Sequence, residues 1–452
     1  MRNRKKKNPV WNGNVRDAAL SILLAVDQNQ AYSNLLLNQT INKYQIGAKD
    51  RALLTELTYG TLQYKYALDY YLEPFIRGKV DPWVRWLLRL SVYQIAYLTK
   101  IPEHAIVNEA VEIAKRRGHK GIASMVNGIL RSILRMGIPS LEKIKDPIDR
   151  IAIETSHPRW IVELWVESYG LDTAAAMLKA NNLPPKQTVR VNTLKATAEE
   201  VIALLAKEGV RAERSQVIPE CLVLLNGQAA RTEAFRNGLI TIQDESSMVP
   251  AIVLNPKPGE RVFDMCAAPG GKTTQLAEIM KNNGSILAAD LHPHKLALIE
   301  ESCARLGIHI VETVPLDGRK AGEQLQPESF DAILVDAPCS GLGVIRRKPD
   351  IKYTKREEDF ERLHELQLDL LKNAFKLLKP GGRLVYSTCT VNKIENEGTV
   401  QAFLSSHSEM KLEPIRHLPE MLKEKQQEGM LQIFPQDFGS DGFFIAAFTK
   451  VQ

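Results

Sequence analysis

From Gly259 to the C-terminus, apolar β-type runs alternate with helical stretches, and this alternation constrains the fold more than any other feature of the chain. A repeat of strand, helix and strand buries its apolar faces as an open, mostly parallel sheet with helices against it. Strands are expected at Arg261–Asp264, Gly284–Asp290, Ile308–Val314, Phe330–Asp336 and Gly382–Ser387, with a last one at Gly442–Thr449. The longest helix is read at about Glu358–Leu378, with Leu363, Leu366, Leu370, Leu371 and Leu377 on one face. Lys379-Pro380-Gly381-Gly382 should stop it. Ligands of such sheets bind outside the carboxyl ends of the strands, so the residues at those ends are the first candidates for function.

The remaining chain is too long to join this core; at 452 residues, two or three domains are the natural expectation. Residues 15–138 carry helical periodicity throughout, as in Val15, Ala19, Ile22, Leu23 and Val26, and read as an all-α domain. The charged, Pro-containing stretch 139–157 reads as a linker. Residues 158–243 read as a small α+β insert, with strands at Gln187–Asn192, Cys221–Leu225 and Leu239–Gln243 and a helix at Ala198–Glu208. Residues 244–452 then form the α/β, Rossmann-like unit.

After its first strand the chain continues Asp264-Met265-Cys266-Ala267-Ala268-Pro269-Gly270-Gly271-Lys272-Thr273. Small residues let a ligand approach the backbone, and the helix N-terminus that follows favours an anionic group. A Walker A loop is excluded, because Cys266 stands where its first glycine belongs. The dinucleotide fingerprint is excluded too, since Gly270 and Gly271 are adjacent. A purely structural turn remains the bland alternative. Against it stand acids at the ends of successive strands: Asp264, Asp290, Asp317 and Asp336. Asp290 is placed to accept hydrogen bonds from ribose hydroxyls, and Asp317 from an adenine amino group. Four acids along one crevice suit an adenosyl ligand carrying a sulfonium cation.

The five cysteines, Cys221, Cys266, Cys303, Cys339 and Cys389, are odd in number and widely spaced, with no CxxC pair. A disulfide framework or zinc site is therefore not expected, and a reducing, cytoplasmic compartment fits. Cys221 and Cys303 read as small buried hydrophobes and Cys266 as packing near the ligand. Cys339 and Cys389 differ, because each follows the end of a strand in a turn facing the crevice. No apolar run is long enough to span a bilayer. The formal charge is +6, but Arg2, Arg4, Lys5, Lys6 and Lys7 in the basic tail 1–14 leave only about +1 for the rest. A basic arm attracts phosphates without reading sequence; a solubilising tail is an equal alternative.

The motifs FDMCAAPGGKT (Phe263–Thr273), VDAPCSGLG (Val335–Gly343) and GGRLVYSTCT (Gly381–Thr390) closely resemble those of the RNA cytosine-C5 methyltransferases. RVNTLK (Arg190–Lys195), QDESSM (Gln243–Met248) and DGFFIA (Asp441–Ala446) add to the resemblance, which runs from about Pro158 to the C-terminus. The helical front resembles the NusB-like RNA-binding domain of the bacterial Sun/Fmu subfamily, which modifies 16S ribosomal RNA. The resemblance implies S-adenosyl-L-methionine as cofactor, held by Cys266, Ala267, Ala268, Pro269, Gly270, Gly271, Lys272, Asp290, Asp317 and Asp336. It implies Cys389 as nucleophile, with Cys339 serving proton removal and enzyme release.

The residues support that chemistry independently. Cytosine C5 is too weak a nucleophile to attack a methyl sulfonium unaided, and a thiolate adding to C6 makes C5 electron rich. Both thiols should face one space above the sheet, with Asp336 at the N3 edge of the base and Lys272 lowering a thiol pKa toward neutrality. The catalytic set is thus Cys389, Cys339, Asp336 and Lys272. The target cytidine must be single-stranded or flipped. Arg346, Arg347 and Lys348 are candidates for gripping flanking phosphates, and Lys115–Lys120 for a second RNA contact; solvated helix ends are the plain alternative for both. His292 and His294 lack a partner cluster, so no metal is expected. A monomer acting on RNA, away from membranes, is the resulting expectation. The same reaction on transfer RNA, an inert RNA-binding assembly factor and an exocyclic-amine methylase are the competing functions.

Overall fold

A computed structural model describes residues 13–29 and 33–451, so the basic tail mostly lies outside the described residues. The chain forms two compact units. One holds the described residues up to Asn182 together with Lys348–Thr354; the other holds Leu183–Arg347 and the chain from Lys355 onward.

The first unit is all helical, as the periodicity predicts. Its core is the inward stripe of successive helices, with Leu20, Leu23, Leu54, Leu68, Trp86 and Leu130 among its buried members. Pro82 opens the helix Pro82–Tyr97 at a position that needs no backbone N–H. The stretch read as a linker contains a further helix, Pro147–Glu154, capped by Asp146, which accepts from the N–H groups of Ile148 and Asp149. The proline that looks like a breaker in the sequence is thus a helix starter. Helices Arg159–Tyr169 and Leu171–Ala180 also pack in this unit. Gln63 fastens them by donating to the Asn181 carbonyl at 2.7 Å and to Asn182 Oδ1 at 2.9 Å.

The second unit contains two sheets. The insert has strands β1 (Gln187–Val191), β2 (Ala212–Arg214), β3 (Cys221–Leu224) and β4 (Ile240–Ile242), in the order β2-β3-β1-β4 and all antiparallel. A Thr197/Glu200 capping box starts the helix Ala198–Lys207 beside them. The larger sheet comprises β5 (Arg261–Asp264), β6 (Ser285–Asp290), β7 (Val311–Pro315), β8 (Phe330–Asp336), β9 (Leu378–Thr388), β10 (Met410–Leu412), β11 (Gln426–Gln427), β12 (Met430–Ile433) and β13 (Phe443–Lys450). Its order is β11-β12-β13-β9-β8-β5-β6-β7, with β10 on β13.

Strands β5 to β9 are parallel, while β13 and the strands beyond it are antiparallel. The chain runs outward from β5 through β6 and β7, then crosses back to β8 on the other side of β5. Strand order therefore reverses between β5 and β8, and a crevice opens at their carboxyl ends. Two local departures from expectation have simple causes. The third strand starts at Val311, because Ile308 still bonds back to the preceding helix at Cys303. Lys379-Pro380-Gly381-Gly382 does end the helix, but within β9, where the pairing with β8 skips from Leu378 to Arg383. Strands β10 to β12 carry too few residues to show an alternating pattern.

Candidate active site

At the crevice, β5 ends in Asp264 and turns through the loop into the helix Gly271–Ile279. Gly270 holds φ at 99°, and a Cβ there would meet Ile299 Cα at 3.2 Å, so a side chain is excluded twice over. Asp264 lies beneath the loop, accepting from the Thr273 hydroxyl at 2.7 Å. Burial pushes its carboxyl up to about 7, against the opposing Thr273 bond. Asp264 thus braces the loop rather than lining the crevice.

The loop is stiffened from the insert as well. Arg190, fully buried on β1, donates to both carboxylate oxygens of Glu278 at 2.8 and 2.9 Å. It also donates to the Gly271 carbonyl at 2.9 Å, to the Thr274 hydroxyl at 3.0 Å and to Gln243. This brace was not read from the sequence, although Arg190 and Gln243 both lie in motifs quoted above; a buried arginine and a surface arginine look alike in a sequence.

The remaining acids converge on Cys266. Its thiol is pushed well above the usual cysteine range, first by burial and then by Asp264, Asp336, Asp290 and Asp317 together. Asp290, at the end of β6, accepts from the His292 N–H at 2.9 Å and has Lys295 Nζ at 3.7 Å. Asp317 is gripped by Arg319 at 2.6 Å, which holds its carboxyl below the usual range. Asp290, Asp317 and Asp336 thus all lie near enough to Cys266 to act on its charge.

Asp336 ends β8 and is held on both oxygens. Lys272 donates to Oδ2 and the Ser387 hydroxyl to Oδ1, each at 2.8 Å. The expectation that Lys272 lowers a thiol pKa is corrected here, because its charge is spent on Asp336. Beyond the acid, Cys339 Sγ and Cys389 Sγ lie 3.2 Å apart. The Cys339 thiol is raised well above its ordinary value, first by its bond with Cys389, then by burial, then by the charges of Cys389 and Glu395. Either sulfur can donate in this contact, so the two thiols can share one proton.

Both cysteine loops are clamped. Gly343 N–H donates to the Cys389 carbonyl at 3.0 Å and the Gly442 N–H donates to the Gly343 carbonyl at 2.8 Å. A Cβ on Gly343 would come within 2.0 Å of the Gly442 oxygen, so only glycine fits. From behind, Glu395 accepts from the Ser340 N–H at 2.9 Å and Gln367 donates to the Pro338 carbonyl at 2.9 Å.

The expected phosphate grip is overturned for two of its three residues. Arg346 is buried and donates to the carbonyls of Gly439 and Pro435 at 2.5 and 2.9 Å. Arg347 pairs with Asp441 at 2.7 Å and Asp244 at 2.5 Å. Their guanidinium groups tie the Cys339 loop to the segment Pro435–Asp441 that leads into β13, and Lys348 alone is exposed. In the helical unit, Arg116 and Arg117 both pair with Asp17, at 3.2 and 2.6 Å, and Lys115 with Glu112 at 2.6 Å. These pairs are on the surface and weak. Among the described residues no cluster of His, Cys, Asp or Glu is arranged to hold a metal ion, and no helix is long and apolar enough to cross a membrane.

Comparison with known proteins gives the family of each part of the chain. Residues 251–449 match the family described as 16S rRNA methyltransferase RsmB/F. Residues 13–135 match the NusB family, and residues 157–231 match the ferredoxin-like domain of RsmF/B-like methyltransferases. The chain is 52% identical to the probable ribosomal RNA small subunit methyltransferase B of Bacillus subtilis (strain 168), over 96% of this chain and 98% of that protein. It is 34% identical to ribosomal RNA small subunit methyltransferase B of Serratia proteamaculans (strain 568), over 97% and 99%. Among solved structures it is similar to PH0851, at 32% identity with a TM-score of 0.82 over 98% of this chain and all of that one. It is also similar to NSun6 from Pyrococcus horikoshii, at 27% identity with a TM-score of 0.60 over 65% of this chain and 98% of that one.

Proposed function

This chain belongs to the 16S rRNA methyltransferase RsmB/F family, and from that premise we propose that it methylates C5 of one cytidine in 16S ribosomal RNA through a covalent bond between Cys389 and C6. The observation that carries this reading is the 3.2 Å contact between Cys339 and Cys389 beside Asp336. A methylase of exocyclic amino groups has no use for two thiols at one site.

S-adenosyl-L-methionine fits the crevice as cofactor. The small residues of the Cys266–Lys272 loop and the nearby carboxylates of Asp290, Asp317 and Asp336 suit an adenosyl group with a sulfonium cation. Cys266–Lys272 would hold it with Asp290 on the ribose, Asp317 near the adenine and Asp336 toward the reacting end. When bound, it supplies an electrophilic methyl group.

The chain's own residues perform the rest. Cys389 enters as the thiolate, accepting the hydrogen bond of the Cys339 thiol. Its sulfur bonds to C6, and the C5–C6 π pair moves to C5, while Asp336, fixed by Lys272 and Ser387, orients the base and the Lys272 ammonium behind it offsets the negative charge developing at the N3 edge. After C5 is methylated, Cys389 is a thioether and no longer shares the Cys339 proton, which leaves to solvent. Cys339, now a thiolate, takes the C5 proton; the C5–H pair re-forms the C5–C6 double bond, and the S–C6 bond breaks to return Cys389. The target is a single-stranded or flipped cytidine, the helical unit contributes RNA binding, and the protein acts as a cytoplasmic monomer without need of a metal.

The test is bisulfite mapping of 16S ribosomal RNA from cells with and without this protein. One protected cytidine should become convertible in its absence. An unchanged map rejects the assignment.

A further inference from the structure

A five-residue π-turn, Ile394–Gly398, follows the Cys389 loop, closed by the bond from the Gly398 N–H to the Lys393 carbonyl at 2.9 Å. Turns of this kind are rare and recur at functional sites. Two consecutive side chains of this turn, both fully buried, reach different loops. Glu395 Oε2 accepts from the Ser340 N–H at 2.9 Å and from Gln367 Nε2 at 3.1 Å, and Oε1 accepts from Asn392 at 3.1 Å. Gln367 continues to the Pro338 carbonyl at 2.9 Å, so both neighbours of Cys339 are held. Asn396 accepts from the Thr388 hydroxyl at 2.7 Å and donates to the Thr390 carbonyl at 3.1 Å, so both neighbours of Cys389 are held as well. A hydroxyl contact of 2.8 Å between Ser340 and Thr390 joins the two loops directly.

We infer that Glu395 and Asn396 are positioning residues for the two thiols: Glu395 sets Cys339, Asn396 sets Cys389, and the turn that carries both fixes the distance between the sulfurs. Asn396 also donates to Gln432 on β12 at 2.9 Å, so its amide divides between the sheet and the Cys389 loop. A buried carboxylate is costly unless its oxygens are satisfied, and Glu395 is satisfied by the Ser340 N–H, Gln367 and Asn392. The inference rests on the covalent reading above. It divides the reaction between neighbouring residues: loosening Asn396 should impair attack, and loosening Glu395 should impair release.

The experiment uses the full-length protein, S-adenosyl-L-methionine and unmodified 16S ribosomal RNA made by transcription, with Cys339→Ala as the reference for a trapped adduct. Glu395→Gln keeps the side chain's shape but misdirects an N–H at Ser340 or Gln367. It should accumulate protein–RNA adduct on a denaturing gel, as Cys339→Ala does, with turnover slowed about a hundredfold and KM for RNA within about twofold. Asn396→Ala should slow turnover by a similar factor but leave no accumulated adduct. Asn396→Asp, which keeps the acceptor for Thr388, should recover part of the loss. Thermal midpoints and cofactor affinity report whether each variant is folded, and Gln367→Ala, on a different helix, repeats the release test if Glu395→Gln does not fold. If Cys339→Ala traps adduct while the folded Glu395 and Asn396 variants turn over like the parent, or lose attack and release alike, the inference is wrong and the covalent reading stands. If Cys339→Ala traps no adduct and Cys389→Ala stays active, both are wrong.

Discussion

Lys272 Nζ lies 2.8 Å from Asp336 Oδ2, and this ion pair joins the loop after β5 to the end of β8. Both side chains are largely shielded from water, so the bond is charge assisted and directional. Lys272→Met should leave Asp336 without its orienting partner and slow methyl transfer about tenfold to a hundredfold. Single-turnover methylation at saturating cofactor and RNA measures this directly. An unchanged rate in a folded variant removes Lys272 from the site.

Asp290 stands at the end of β6 and accepts from the His292 N–H at 2.9 Å. Asp290→Ala should weaken S-adenosyl-L-methionine binding by roughly 1.5–3 kcal/mol, the worth of charge-assisted hydrogen bonds to ribose hydroxyls. Calorimetry without RNA is the appropriate measurement, because the contact precedes substrate binding.

The thiol pair should separate by mutation and by pH. Cys389→Ala should abolish methylation and adduct together, whereas Cys339→Ala should permit attack and methyl transfer and leave protein bound to RNA through a thioether. The raised Cys339 thiol gives the pH dependence its sign: more thiolate forms as pH rises, so release should quicken and the wild-type adduct should become shorter lived. Quenched time courses from neutral to alkaline pH read that lifetime. In Cys339→Ala the dependence should vanish.

Lys352 offers a test of the helical unit. It is fully buried, donates to the carbonyls of Gln63 and Ser156 at 2.7 and 2.8 Å, and burial lowers its pKa from 10.5 to about 7. Between those values the unfolded chain holds a proton that the folded chain has released, so stability should rise with pH from about 7 to 10.5 and gain nothing from this group below 7. Lys352→Met should lose that slope. Denaturant unfolding at pH 6, 7, 8 and 9 compares the two, and parallel curves would show that Lys352 does not titrate in the folded state.

The sequence by itself determined the fold class and the placement of its chemistry along the chain. Helical periodicity through Val15, Ala19, Ile22 and Val26, and the alternation beginning at Arg261, are local patterns that follow from burying one face of each element. Placing Asp290, Asp336, Cys339 and Cys389 at strand ends needed only those patterns and the rule for parallel sheets. What the sequence left open was every property that depends on which side chains meet. Cys339 and Cys389 are fifty residues apart in the chain, and only the pairing of β8 with β9 brings their sulfurs to 3.2 Å. Arg346 and Arg347 read as a solvated grip because exposed arginine is the common case; packing buries the first and pairs the second with Asp244 and Asp441. Asp264 read as one of four crevice acids, yet the Thr273 bond turns it beneath the loop. Arg190, Glu395 and Asn396 carry no local signal, because hydrogen bonding across long sequence separations has no period. The tertiary structure alone decided which charges face a ligand and which hold the site in place.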